Sequence, residues 1–360
     1  MFDFAKRIGK LQRSLRKWGC DALILSALEG FDANCFYYSG EETFPALLVL
    51  TRASSTIFSL EPEAHENVFG SSLPIKGARE KISEILKKEK VKRLGVDDVS
   101  HSAGAALRAR KKLKTELVPV GAELSRLRLL KDGRELACIR KSCSIALKCV
   151  AGFEGGGFAG KTEHEVAGEM GLEKAGFAGR TEHEIAGWME LRARKNGAAL
   201  DAFPPMVLSG GRSAFFHNAT SSKKISSREP VLIDWGCRVG NYCSDYTRTY
   251  ANGTLDQQFL DAFEAVEESF KAVMKAAKPG VGGEKLEKIA LDVIKQHGFE
   301  KYSHAATGLS LGHFVGLDVH DGGSLGKEKL RRGMAFTIEP GIYIPKKFGI
   351  RIENTVVLGY

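Results

Sequence analysis

Several absences narrow the reading first. No apolar run approaches the ~20 residues that a membrane-spanning helix needs; the longest are Ala46-Leu47-Leu48-Val49-Leu50 and Ala22-Leu23-Ile24-Leu25. The seven cysteines, at 20, 35, 138, 143, 149, 237 and 243, are odd in number and form no Cys-x-x-Cys pair. That points to reduced thiols in a cytosol-like compartment rather than a disulfide framework. Met1-Phe2-Asp3-Phe4-Ala5-Lys6-Arg7 holds no apolar signal-peptide core, so a cytoplasmic protein is expected. No zinc-finger or RNA-binding signature accompanies the basic residues.

The composition is that of a soluble globular protein. Charged residues make up 27% and hydrophobic residues 43% of 360, which excludes a disordered chain, a collagen and a coiled coil. The length corresponds to roughly two domains and is enough to bury a large core without staples. The formal net charge of +9 comes partly from blocks at Lys87 to Lys92, Arg108 to Lys114 and Lys223-Lys224. No aromatics interleave them, so a solvated basic face is the reading, with attraction of acidic partners or an anionic surface as the alternative and no nucleic-acid or membrane partner expected.

The first ~120 residues alternate helix and strand, which suggests a small α/β domain. Phe4, Ile8, Leu11, Leu15 and Trp18 have helical spacing. Segments 22–25, 46–51, 55–59 and 93–96 read as strands, and 80–90 and 103–112 as helices. Residues 124–132 read as a connector. The expected division is 1–122, a linker over 123–131, and a second domain over 132–360. That domain opens with a helix from Asp132 toward Gly152.

A duplication lies within 157–187. Gly157-Phe-Ala-Gly-Lys-Thr-Glu-His-Glu-Val-Ala-Gly168 recurs as Gly176-Phe-Ala-Gly-Arg-Thr-Glu-His-Glu-Ile-Ala-Gly187. Each copy holds Thr-x-x-Glu, the capping-box start of a helix. Glycine stands where a His-Glu-x-x-His zinc motif needs its second histidine, so capped helices are expected there. From Val207 onward the texture is strand and turn, over 231–234, 242–250, 334–338, 341–344 and 350–358. Helices at 255–277 and 283–297 interrupt it. This second domain reads as α+β.

Five ionisable residues in this half are embedded in apolar context: Asp234, Asp245, His313, Glu339 and Glu353. Carboxylates in apolar strands are costly unless paired or metal-bound. A tight turn at Val239-Gly240-Asn241 would bring Asp234 and Asp245 together. Taken singly, Asp234 suits a strand end, Glu353 a cross-strand pair with Arg351, and His313 a local hydrogen bond. Together, four carboxylates and one imidazole suit manganese, cobalt or zinc, and could bridge two ions ~3.5–4 Å apart.

The ordered motifs Asp-x10-Asp-Tyr-Thr-Arg-Thr, Gly-His-x-x-Gly-x-x-x-His, Thr-Ile-Glu-Pro-Gly-Ile-Tyr and Arg-Ile-Glu-Asn-Thr resemble the pita-bread metallopeptidases. This family includes methionine aminopeptidase, aminopeptidase P and prolidase. The resemblance covers roughly residues 130–360, and the preceding segment resembles the creatinase-like N-terminal domain of the prolidase and aminopeptidase P branch. The resemblance implies an α/β N-terminal domain and an α+β pita-bread catalytic domain. It implies two divalent ions per subunit, manganese or cobalt first and zinc as the alternative. Asp234 would chelate one ion, Asp245 and Glu353 would bridge both, and His313 and Glu339 would complete the second. Glu339 would shuttle protons, and His217 and His320 would face the substrate. Arg351 would orient a ligand from near Asp245 or Glu353. The implied activity is Xaa-Pro hydrolysis in dipeptides or short peptides by a homodimer, with aminopeptidase P activity on longer peptides as the alternative. A creatinase-like or partner-binding relative without metal is a further reading, opposed by the presence of all five ligands.

Three departures from the family pattern stand out. Ser324 occupies about the position where prolidases carry an arginine for the dipeptide carboxylate; Lys327, Arg331 and Arg332 are the nearby cations. The 19-residue duplication is expected to form a surface extension at a subunit contact. The sequence ends seven residues after Glu353, so its terminal strand is expected to fray.

Overall fold

The computed structural model describes residues 2–28, 30–65, 69–97, 115–150, 177–216 and 218–359. Two units divide the chain, Met1–Leu127 and Arg128–Tyr360. The expected helix at 103–112 and the first copy of the duplication lie outside the described residues.

In the N-terminal unit, helix Phe4–Lys17 is capped by the Asp3 carboxylate, which accepts from the Lys6 amide at 2.9 Å. Its stripe buries Ile8, Leu11 and Leu15, each contributing about 2 kcal/mol. A six-stranded sheet runs in the order Ser71–Pro74, Ser55–Ser59, Ala46–Thr51, Ala22–Ala27, Arg93–Val96, Glu116–Pro119. Its central strand Ala22–Ala27 is antiparallel to Ala46–Thr51 and parallel to Arg93–Val96. This is the expected α/β unit. The first residues of the expected connector lie in helix Gly121–Arg128, where Leu124 is fully buried.

The second unit is built on a five-stranded antiparallel sheet. Its order is Ala335–Ile338, Glu353–Val357, Tyr246–Asn252, Glu229–Trp235, Met206–Ser209. Helices Gly133–Val150 and Glu182–Lys195 pack a core that includes Ile145, Met189, Val231, Ile233, Trp235, Tyr246 and Tyr250. Both helices begin with reciprocal caps. Asp132 accepts from the Glu135 amide while Glu135 accepts from the Asp132 amide. Thr181 and Glu184 form the expected capping box. His183 is hydrogen-bonded to the Thr220 carbonyl at 3.1 Å. Helices Gln257–Ala276 and Gly283–Gln296 form a second core with Phe259, Leu286, Phe336, Ile338 and Ile350.

Two expected strands are divided. Segment 242–250 forms Tyr242–Cys243 and Tyr246–Asn252, and segment 350–358 belongs to Phe348–Arg351 and Glu353–Val357. The breaks fall where backbone leaves one partner for another. Strand Glu353–Val357 does not lie at a sheet edge: it pairs on both sides, with Tyr246–Asn252 and Ala335–Ile338. The expectation of fraying is therefore corrected for this strand by its central position.

Candidate metal centre

Strand alternation places the acids. Val231, Ile233 and Trp235 enter the helix-covered core, so Asp234 between them points to the opposite face. Asp234 pairs in register with Thr247, and Thr247 with Glu353. The three side chains therefore form one row across three neighbouring strands. Asp245 lies two residues before Thr247, on the same face. The Gly240-Asn241 turn, both residues at positive φ (54° and 67°), closes the expected hairpin between Cys237–Val239 and Tyr242–Cys243.

His313 comes from a segment that runs beside strand Ala335–Ile338. The Thr337 amide donates to the His313 carbonyl at 2.8 Å, and the His313 amide donates to the Thr337 hydroxyl at 3.0 Å. A Cβ at Gly312 would stand 2.2 Å from the Thr337 carbonyl oxygen, so glycine is required for this approach. His313 Nε2 lies 3.3 Å from Asp245 Oδ2 and 3.5 Å from Glu339 Oε1. Its Nδ1 faces the Phe314 carbonyl at 3.3 Å, which fixes the ring with Nε2 toward the acids. Asp245, His313 and Glu353 each offer an atom within 4.8 Å of the others.

Arg351 enters from the hairpin Gly341–Ile344 and Phe348–Arg351. Its guanidinium hydrogen-bonds Asp234, the Thr247 hydroxyl at 3.0 Å and the Tyr343 hydroxyl at 2.9 Å, and lies 3.9 Å from Glu353. The expected neighbour Glu353 is thus near, but the direct carboxylate partner is Asp234.

Three threonines complete the cluster. Thr247 donates to Glu353, Thr337 donates to Glu339 Oε1 at 3.0 Å, and Thr355 holds the Asp245 backbone from both sides at 2.9 Å. No motif marks them as site residues, yet each stands two residues from an acid. In a strand that spacing means the same face, which was the available signal.

His320 is exposed, and its ring lies over that of His313 with centroids 4.1 Å apart. His217 lies outside the described residues. Asp321, next to His320, is fully buried against Arg128 and Lys131. Ser324 is exposed. Of the nearby cations, Arg331 pairs with Glu328 at 3.1 Å and Arg332 donates to the Gly359 carbonyl at 3.3 Å.

The electrostatics suit a cation. Asp234 Oδ1 and Asp245 Oδ1 are buried and accept no hydrogen bond. Burial, then repulsion from Asp234 and Glu339, holds Asp245 well above the usual carboxylate range. Burial followed by the neighbouring acids does the same to Glu353. Glu339 is raised by burial, against the pull of His313 and Arg351. Hard oxygen donors with one imidazole and one uncompensated negative region fit divalent ions. Cys243 is no competing nucleophile: burial pushes its thiol up to about 12.

Comparison with known proteins agrees in both units. Residues 7–130 match the Creatinase/Prolidase N-terminal domain, and residues 137–359 match Metallopeptidase family M24. A Xaa-Pro dipeptidase of Pyrococcus horikoshii is 31% identical over 98% of this chain and 94% of its own length. The crystal structure of a prolidase from the same organism superposes with a TM-score of 0.81 at 30% identity, covering 98% of this chain and 95% of the other. That of an X-Pro aminopeptidase from Thermotoga maritima gives 0.79 at 26% identity, covering 98% and 95%. With its creatinase-type N-terminal domain and pita-bread catalytic domain, the chain is a metal-dependent hydrolase belonging to metallopeptidase family M24.

Proposed function

We propose that this chain hydrolyses the Xaa-Pro bond of dipeptides with two divalent ions, manganese or cobalt first and zinc as the alternative. The observation that carries the reading is the buried meeting of Asp245, His313 and Glu353, with Glu339 3.5 Å from His313. Similarity along nearly the whole length to a Xaa-Pro dipeptidase supports the substrate class. A proline amide has no N–H and a fixed ring, so its cleavage calls for a dedicated enzyme.

Asp234 would hold one ion, Asp245 and Glu353 would bridge both, and His313 and Glu339 would complete the second. Bound ions supply Lewis acidity and a lowered pKa for water. Glu339, held by Thr337, takes up and returns a proton at Oε1. His320 faces the substrate, a role that the resemblance also implies for His217, and Arg351 fixes Asp234. Residues 1–122 act as the N-terminal domain, 123–131 as the linker and 132–360 as the catalytic domain of a cytoplasmic homodimer. Among the described residues no helix is long and apolar enough to cross a membrane.

Aminopeptidase P activity on longer peptides is the second reading. It is favoured by the exposed Ser324 and by the engagement of Arg331 and Arg332 elsewhere. Hydrolysis of a Xaa-Pro dipeptide and of a Xaa-Pro tripeptide, with added manganese and with chelator, separates them. Preference for the dipeptide supports the first reading and preference for the tripeptide the second. Equal turnover with chelator present would refute both.

A further inference from the structure

Ten residues, 314–323, carry His320 away from and back to the metal-centre strand. The Phe314 amide donates to the Gly323 carbonyl at 2.9 Å, and the Asp321 amide donates to the Phe314 carbonyl at 2.7 Å. The loop is therefore closed at its base, one residue from His313. Asp321 is buried inside it. Arg128 Nε and Nη2 reach Asp321 Oδ1 at 2.9 and 2.6 Å, and Lys131 Nζ reaches Oδ2 at 3.2 Å. All three side chains are almost fully buried. A Cβ at Gly316 would stand 1.8 Å from Asp321 Oδ2 and 3.1 Å from Lys131 Cε. The loop backbone is thus wrapped directly on the ion pair.

Such a cluster is a poor way to gain stability, since neutral side chains of similar volume are often as stable or more so. What it does impose is geometry: a forked guanidinium and an ammonium hold one carboxylate by both oxygens. The neighbouring residue is His320, whose ring lies tilted at 44° over that of His313. We propose that Arg128, Lys131 and Asp321 form a clamp that sets the position of the His320 imidazole at the substrate side of the metal centre. Asp321 and its two cations are positioning residues: they act through His320 and touch no reacting atom. The proposal rests on the reading that His320 faces the substrate.

The test uses the full-length protein loaded with manganese. Asp321→Asn alone leaves Lys131 buried without its counter-charge and will destabilise the protein. Asp321→Asn with Lys131→Met removes one charge of each sign, and Arg128 keeps Asp318 at 3.0 Å. The double variant is expected to regain most of the lost thermal stability and to bind the wild-type amount of metal. Its kcat/KM should still fall on the order of ten- to a hundredfold. In a His320→Ala background the same pair of substitutions should cause no further loss. Recovery of wild-type kcat/KM together with stability, or losses that multiply in the His320→Ala background, would overturn the clamp. Wild-type turnover by His320→Ala would remove the reading on which it rests. A readout independent of turnover is the imidazole resonance of His320 in nitrogen-labelled, metal-free protein, assigned by its absence in His320→Ala. It should shift or broaden in the double variant; an unchanged resonance overturns the proposal even if no Xaa-Pro substrate is cleaved.

Discussion

Two buried acidic clusters in the catalytic unit behave in opposite ways. Asp321 is as deeply buried as Glu353, and burial is the largest influence on both. Yet Asp321 is held below the usual carboxylate range, because Arg128 and then Lys131 outweigh burial. Glu353 and Asp245 stand well above that range, because burial is joined by other acids and Arg351 does not compensate. The protein has provided its own cations for one cluster. The donor set of the other suits cations that come from solution. A buried charge near its counter-charge holds a loop in place, whereas grouped carboxylates prepare a place for metal.

The largest expected effect lies in the second cluster. His313→Ala removes the imidazole beside Asp245 and Glu339, and hydrolysis of a Xaa-Pro dipeptide should fall below detection with the fold intact by circular dichroism. Wild-type-like turnover would break the site assignment. Next is metal removal. Chelation should abolish turnover and lower the thermal midpoint, and manganese at a hundredfold over its Kd should restore about 2.7 kcal/mol of stability. An identical melting curve with and without metal would contradict the charge argument.

Replacing Asp321 by Asn breaks the self-compensated cluster and should cost about 3–5 kcal/mol in denaturant unfolding. A cost under about 0.5 kcal/mol would mean that the clamp is not stiff. The pH responses should have opposite signs. Asp321 has a depressed folded-state pKa, so its stabilisation is present above the ordinary carboxylate value and is lost as pH falls through the folded one. Asp245 and Glu353 have raised values, so in metal-free protein their protonated forms favour the fold below the ordinary value. That contribution is lost as pH rises through the folded values. Stability of the metal-free protein should therefore decline with rising pH above the carboxylate range, and manganese should flatten the slope. The smallest effect belongs to neither cluster: Thr181→Ala should cost about 1 kcal/mol through its lost cap.

What could be read from the sequence follows how local each signal is. The four acids and His313 lie within short motifs. The capping box at Thr181 needs only four residues. Arg128 and Lys131 are 193 and 190 positions from Asp321, and no periodicity connects them, so the sequence carries no signal of their pairing. Arg351 lies 117 positions from Asp234, and the motif around Glu353 carries no signal of that partnership. The central place of strand Glu353–Val357 was hidden for the same reason: its two neighbours come from distant segments.

In the proposed mechanism Asp234, Asp245, His313, Glu339 and Glu353 together hold the ions on which Xaa-Pro hydrolysis depends. Its most direct test is a titration of metal-free protein with manganese, following bound metal and dipeptide turnover in the same samples. About two ions per chain are expected at saturation, with turnover rising as they bind. Full turnover in protein that retains no metal would contradict it.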